Sequence, residues 1–192
     1  MHKTLFFLIF LFLSVHIYAQ KHKQDTTNNI KLNTSVSAGY IIGAQVYNDN
    51  FLYNPGWMYS IETYIPFSSD LNVGGGISFL QLQNERFIPV YIDLISYRDK
   101  KKTSHYIHAR CGYSYGWNTS IAPMDDYTFN GGTFLSIGTG KKIHINKSFS
   151  MMIEWAYMHQ FAKMTYTIYS SQTYNEVLNY DMFNVSLSLI MH

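Results

Sequence analysis

The last ten residues constrain this chain more than any other stretch. Phe183, Val185, Leu187, Leu189 and Met191 fall on one face of an extended strand, and Asn184, Ser186 and Ser188 on the other. Strict period-two alternation is the mark of a strand with one apolar and one polar side. Slipping the register by one residue would turn the whole apolar set over, so such a strand fixes its own pairing. The pattern recurs along the chain. Val36, Ala38, Tyr40, Ile42, Ala44 and Val46 oppose Ser37, Gly39, Ile41, Gly43 and Gln45. Ile88, Val90, Ile92 and Leu94 oppose Pro89, Tyr91 and Asp93. Ile107, Ala109, Cys111, Tyr113, Tyr115 and Trp117 oppose His108, Arg110, Gly112, Ser114 and Gly116. Phe149, Met151, Ile153, Trp155 and Tyr157 oppose Ser150, Glu154, Ala156 and Gln160.

The N-terminus says where such strands would sit. Met1-His2-Lys3 precedes an apolar block from Leu5 to Leu13, and Tyr18-Ala19-Gln20 follows. A charged start, a short apolar core and a small residue describe an export signal, expected to be cut after Ala19. The domain reading is a signal peptide over 1–19, a flexible polar leader over 20–33 and a β-barrel domain over 34–192. An exported chain of alternating strands points to a barrel in a cell outer membrane. Strands are expected near 35–47, 57–66, 71–83, 86–98, 104–117, 131–144, 148–161 and 181–192. The fold class expected is therefore all-β, an eight-stranded antiparallel up-and-down transmembrane β-barrel. The 173 residues left after cleavage are about what eight crossings of ~10 residues with their turns require.

Composition agrees. Only 14% of residues are charged while 17% are aromatic, which suits a surface in lipid with aromatic girdles. Mean hydropathy is −0.11, modest because only alternate residues of a barrel strand face lipid. Cys111 is the sole cysteine, so no internal disulfide framework can exist. A net charge of +2 gives no reason to expect nucleic acid.

The connections differ in length. Phe67–Asp70, Asp99–Lys102 and Ile145–Ser148 are short, whereas 48–56, 118–130 and 162–180 are long. Short periplasmic turns and long outer loops are the pattern of an outer-membrane barrel; the tight Asn84-Glu85 connection is the exception. Arg98, Lys100, Lys101, Lys102, Lys141, Lys142 and Lys147 gather near the short turns. The long loops carry Asp49, Asp125, Asp126 and Glu176.

Several runs carry a resemblance. Phe87-Ile88-Pro89-Val90-Tyr91-Ile92-Asp93-Leu94, then Tyr106 to Gly112-Tyr113-Ser114, then Gly131-Gly132-Thr133-Phe134 with Gly138 and Gly140, resemble the small outer-membrane β-barrel domain proteins of Gram-negative bacteria. The eight-stranded layout is similar to OmpA/OmpX-type barrels. The resemblance covers nearly all of the chain beyond the signal and implies a fold and a cell-surface location more than an activity. One departure is the final Leu189-Ile190-Met191-His192, since such chains usually end on an aromatic residue read by the insertion machinery.

Charged residues on the inward face are the candidate site. Glu62, Asp93, Arg110, Lys142 and Glu154 share the inward parity. Isolated charge in a closed lumen is costly unless paired, so a structural ion-pair network is expected, with His108 joining it. The rival is a narrow, porin-like cation path, disfavoured by an eight-stranded interior only wide enough for side chains. His105 and His108 point to opposite faces and cannot chelate together. Asp125-Asp126 lacks the further ligands of a calcium loop. Gly74-Gly75-Gly76 is no phosphate loop, because neither a Lys-Ser/Thr pair nor a helix follows; it marks a bend or close packing. His159 and many serines are available for hydrolysis, but no spacing marks a nucleophile.

The function expected is a structural or interaction barrel without catalysis, metal or cofactor. Its partners would be outer-membrane lipids, the barrel insertion machinery and an extracellular ligand held by loops 48–56, 118–130 and 162–180. Tyr53, Tyr127, Tyr166, Tyr169 and Tyr174 in those loops combine a ring with a hydroxyl, as adhesive surfaces do; an outer aromatic belt, general in such barrels, is the stronger explanation for several of them. The alternatives are a channel or carrier for a small solute and a soluble lipocalin-like barrel with its apolar face turned inward.

Overall fold

The computed structural model describes residues 32–47, 50–98, 103–119, 125–168 and 172–192. The signal, most of the leader and Tyr169 lie outside these residues. The described strands are β1 (Asn33–Tyr47), β2 (Asn50–Tyr53), β3 (Gly56–Pro66), β4 (Leu71–Gln81), β5 (Glu85–Tyr97), β6 (Thr103–Asn118), β7 (Asp125–His144), β8 (Phe149–Ile168) and β9 (Gln172–Met191). All pairings are antiparallel between chain neighbours, except that β1 skips β2 to reach β3 and closes the ring with β9 from Thr34↔Met191 to Val46↔Asn179. The result is an eight-stranded antiparallel up-and-down β-barrel. β2 is a short additional strand folded back on the end of β1, with Ala44 opposite Tyr53.

The break between β2 and β3 has a local cause. Pro55 has no N–H to give the ladder. Beside it, Asn54 donates its backbone N–H to the Gly43 carbonyl (2.8 Å). Its buried side chain donates to Glu85 Oε2 (2.9 Å) and accepts from Gln83 N (3.0 Å).

One end of the barrel is made of tight turns. Phe67 and Ser68 both donate backbone N–H groups to the Leu71 carbonyl, and Ile145 and Asn146 to that of Phe149. Asn146 Oδ1 also accepts from Ser148 N and Phe149 N, at 2.9 and 2.8 Å, the side-chain mimic of a backbone turn that Asn makes readily. The other end is uneven. β3 and β4 have 11 residues and β5 has 13, whereas β7, β8 and β9 each have 20. Much of the expected loops 118–130 and 162–180 is therefore strand. The pairings continue to Asp125↔Thr167 and Ile168↔Gln172. Apolar alternation could not announce these extensions. Beyond the barrel body they hold Thr, Tyr and Val, favoured in strands for their shape and not their hydropathy, interspersed with Asn, which strands disfavour.

The faces divide as the parity requires. Phe183, Val185, Leu187 and Leu189 are exposed outward, and Asn184, Ser186 and Ser188 are buried inside. Cys111 is outward and exposed. This is the reverse of a soluble lipocalin-like barrel, which would turn its apolar face in; that alternative is discarded.

The inside is layered. Towards the tight turns lie Tyr64, Ile95, Tyr106, Met152 and Ile190, with Tyr97 against them. Towards the tall end lies a larger apolar cluster that includes Ile41, Met58, Leu80, Phe87, Phe134, Met158, Tyr180 and Met182. Glu62, Asp93, Arg110 and Glu154 lie between the two. An inward face that is polar over its whole length is thus not what the chain builds.

Candidate functional site

The middle layer is organised by Arg110 on β6. Direct pairing puts Asp93 of β5 opposite it, and Arg110 Nε donates to Asp93 Oδ2 at 2.9 Å. The other two carboxylates come from across the lumen. Nη1 and Nη2 donate to Glu154 Oε1 and Oε2 at 2.9 and 3.1 Å, the two-pronged geometry a planar guanidinium favours. Nη2 also lies 3.1 Å from Glu62 Oε1. All four side chains are buried. Tyrosines complete the cluster. Tyr64 OH donates towards Glu62 (2.6 Å) and Asp93 (3.0 Å), Tyr91 OH to Glu62 Oε1 (2.7 Å), and Tyr106 OH to Glu154 Oε2 (3.3 Å). The Tyr91 ring also faces the guanidinium, 5.6 Å from its centroid to Arg110 Cζ. His108 sits between two acids, 3.5 Å from Glu154 Oε1 and 3.9 Å from Asp93 Oδ1.

Of the five inward charges named from the sequence, the structure brings four together and leaves Lys142 apart. Register explains the separation: Lys142 is opposite Met152, whereas Glu154 is opposite Gly140. One residue pair along a strand is ~7 Å, and Glu154 turns away towards the guanidinium. Lys142 Nζ instead lies over the Tyr97 ring, 5.3 Å from its centroid.

Glycine makes room for these groups. Gly76 faces Glu62 across β3–β4, and a Cβ built there would stand 2.7 Å from Glu62 Cγ. Gly74 and Gly76 are therefore space for Tyr64, Glu62 and Tyr91. Sequence reasoning overlooked the tyrosine hydroxyls. The available signal was spacing: Tyr64 and Tyr91 each sit two residues from an inward acid, and Tyr106 two residues from His108, on the same strand face.

Residues named for the loops are also redistributed. Tyr127 is half-buried and packs against the apolar lumen cluster. Tyr53 is exposed. Tyr166 and Tyr174 stack face to face (5.5 Å, 15°) on the β8–β9 projection. Asp125 and Asp126 open β7, and their side chains lie outside the described set. Among the described residues no group of His, Cys, Asp and Glu is arranged to hold a metal ion.

The projection is the second feature of interest. β9 pairs with β8 as far as Gln172, but its pairing with β1 ends at Asn179. Among the described residues, Gln172–Leu178 has no strand on its second side. Val177 there is exposed, and Thr165 on β8 donates to Asn175 Oδ1 at 2.8 Å.

No protein-family model and no curated protein matches the sequence. Solved structures do match the fold. The outer membrane protein AlkL, determined in lipid bilayers, superposes with a TM-score of 0.61 at 10% identity, over 88% of this chain and 93% of that one. Neisserial surface protein A gives a TM-score of 0.57 at 13% identity, over 82% and 96% of the two chains. OprG from Pseudomonas aeruginosa gives 0.57 at 9% identity, over 88% and 100%. The fold is that of small outer-membrane β-barrels.

Proposed function

We propose that the protein is an integral outer-membrane barrel that acts as an interaction module, with a sealed lumen and a binding sheet raised on β7–β9. The observation that carries this reading is the Gln172–Leu178 edge, which pairs with β8 on one side and, among the described residues, with no strand on the other, on strands twice as long as a membrane crossing needs. An unpaired edge presents a row of backbone donors and acceptors to an incoming extended segment. Placement in lipid is supported by the outward apolar band, from Val36 and Ile42 on β1 to Leu187 and Leu189 on β9. The short turns then face the periplasm and the projection faces outside, as the basic residues beside the turns also suggest. On this reading the signal is removed after Ala19, the insertion machinery and outer-membrane lipids are general partners, and an extracellular polypeptide is the specific one. Catalysis is not part of it. Neither is solute conduction, because Arg110 and its acids fill the waist and an apolar layer lies on each side.

The test is a photo-crosslinking amino acid placed at Val177 on intact cells, with Ser68 in a tight turn as control. Crosslinks to an added or neighbouring polypeptide at Val177, none at Ser68 and no stepwise current in planar bilayers are expected. Single-channel steps would favour the channel alternative. An accessible Ser68 with a protected Val177 would reverse the orientation.

A further inference from the structure

The outward face of β5–β8 is not a smooth apolar band. Ile92, Cys111 and His159 lie in one cross-strand row, and Leu94, Ala109 and Tyr157 in the next. The small β6 side chains stand between larger ones, and the result is an open groove of about 740 Å³ in the outer wall, a size typical of ligand clefts. Its lining is apolar except at one end. There His159 Nδ1 lies 2.7 Å from Asp181 Oδ1, and the Tyr157 hydroxyl donates to the same carboxylate.

Strand tilt sets the groove on a slope. On β6, Cys111 has Tyr113, Tyr115 and Trp117 beyond it, so it lies near the middle of the apolar band. On β9, Asp181 of the same row lies just beyond Phe183, the last outward apolar residue of the band there. Rows across strands tilted ~35–45° climb along the barrel axis in this way. The groove therefore runs from mid-depth to the rim on the tall side. Two outward positions beyond His159 on β8, ~13 Å along the strand, is Lys163. It is exposed and has no acidic partner within ion-pair distance among the described residues. Asp181, the described outward acid on β9, is already engaged by Tyr157 and His159.

We propose that this groove holds one acyl chain of an anionic, phosphate-bearing membrane lipid whose head group rests at Lys163. The inference rests on the membrane reading above and adds a specific lipid site to it. Apolar surface recessed below the band favours a chain over water, and the Lys163 ammonium, ~13 Å beyond the groove along β8 and without an acidic partner among the described residues, selects negative over zwitterionic head groups.

The experiment reconstitutes the whole barrel in vesicles of equal parts phosphatidylglycerol and phosphatidylcholine, extracts it gently in detergent and counts retained lipids by native mass spectrometry. One phosphatidylglycerol per barrel is expected, preferred ~5-fold over phosphatidylcholine, the effect of about one basic residue at the surface. Lys163→Gln should abolish the preference and keep a lipid bound. Filling the floor with Ala109→Leu and Cys111→Leu should remove both lipids, while heat-dependent gel migration shows the barrel intact. Retention unchanged by the filled floor, a preference that survives Lys163→Gln, or inserted barrels with no lipid each overturn the proposal. Dimers in the spectra that the filled floor abolishes would assign the groove to a second copy, and overturn it too. Failure to float with the vesicles would instead defeat the membrane reading itself.

Discussion

The two thick layers of the lumen solve one packing problem by opposite means. At the waist, Arg110 gathers Glu62, Asp93 and Glu154 with tyrosine hydroxyls around them. Towards the tall end, Phe87 packs with Phe129 and Tyr180 (centroids 5.7 and 5.3 Å) over Ile41, Met58, Met158 and Met182. Both fill a narrow bore with buried side chains. They differ in what happens when one member is lost. An apolar layer can relax into a gap, whereas a charge cluster is left with ions that have nothing to pair with. The contrast teaches that an inward polar parity need not mean a polar lumen, because the tall side is filled by a hydrophobic core turned inside a barrel.

The sharpest way to break the comparison is Arg110→Met. It leaves three buried carboxylates beside one another, and a loss of ~3–5 kcal/mol is expected in urea unfolding from lipid vesicles if the site stays dry. Adding Asp93→Asn should recover part of that loss, and strict additivity in the double-mutant cycle would show that the two are not coupled. The same variant should still pass no current, since the apolar layer remains; stepwise conductance would show that this layer is not a seal. Next in size is Phe87→Ala, expected to cost ~3 kcal/mol as a buried ring is removed. No acidic or basic second substitution should rescue it. A fall below ~1 kcal/mol would mean that the layer collapses freely and is packed more loosely than its contacts imply. Gly76→Ala is smaller, ~1–3 kcal/mol, through overpacking against Glu62. Combined with Glu62→Ala it should cost less than in the wild-type background, and an unchanged cost would put the clash elsewhere. Smallest is Lys142→Met, expected within about 1 kcal/mol because its described contact is the Tyr97 ring. A loss as large as that of Arg110→Met would place Lys142 in the network after all.

Much of the barrel was legible in the residues. The outward set on β9 and the inward charges at Glu62, Asp93, Arg110 and Glu154 follow from parity alone, because period two admits only two faces. The short turns at Phe67–Asp70 and Ile145–Ser148 are legible for the same reason, as interruptions of the alternation. The length of β7–β9 was not. Beyond the apolar band, Thr165, Thr167 and Asn175 give no periodic signal, and only pairing to a neighbour makes them strand. Tyr127 read as a loop residue and is part of the inner packing, since nothing local distinguishes an exposed tyrosine from one that turns inward at a strand end.

What the sequence by itself determined is therefore the wall: strand count, which face looks out, and which charges look in. The tertiary structure decided the contents of the bore and the shape of its rim. Which carboxylates meet Arg110, why Lys142 does not, where Ile41, Met58 and Met182 form an apolar layer, and how far β9 outruns β1 all depend on register between strands distant in the chain. Alternation along one strand carries no information about its height against another, and that relative height fixes every contact across the lumen.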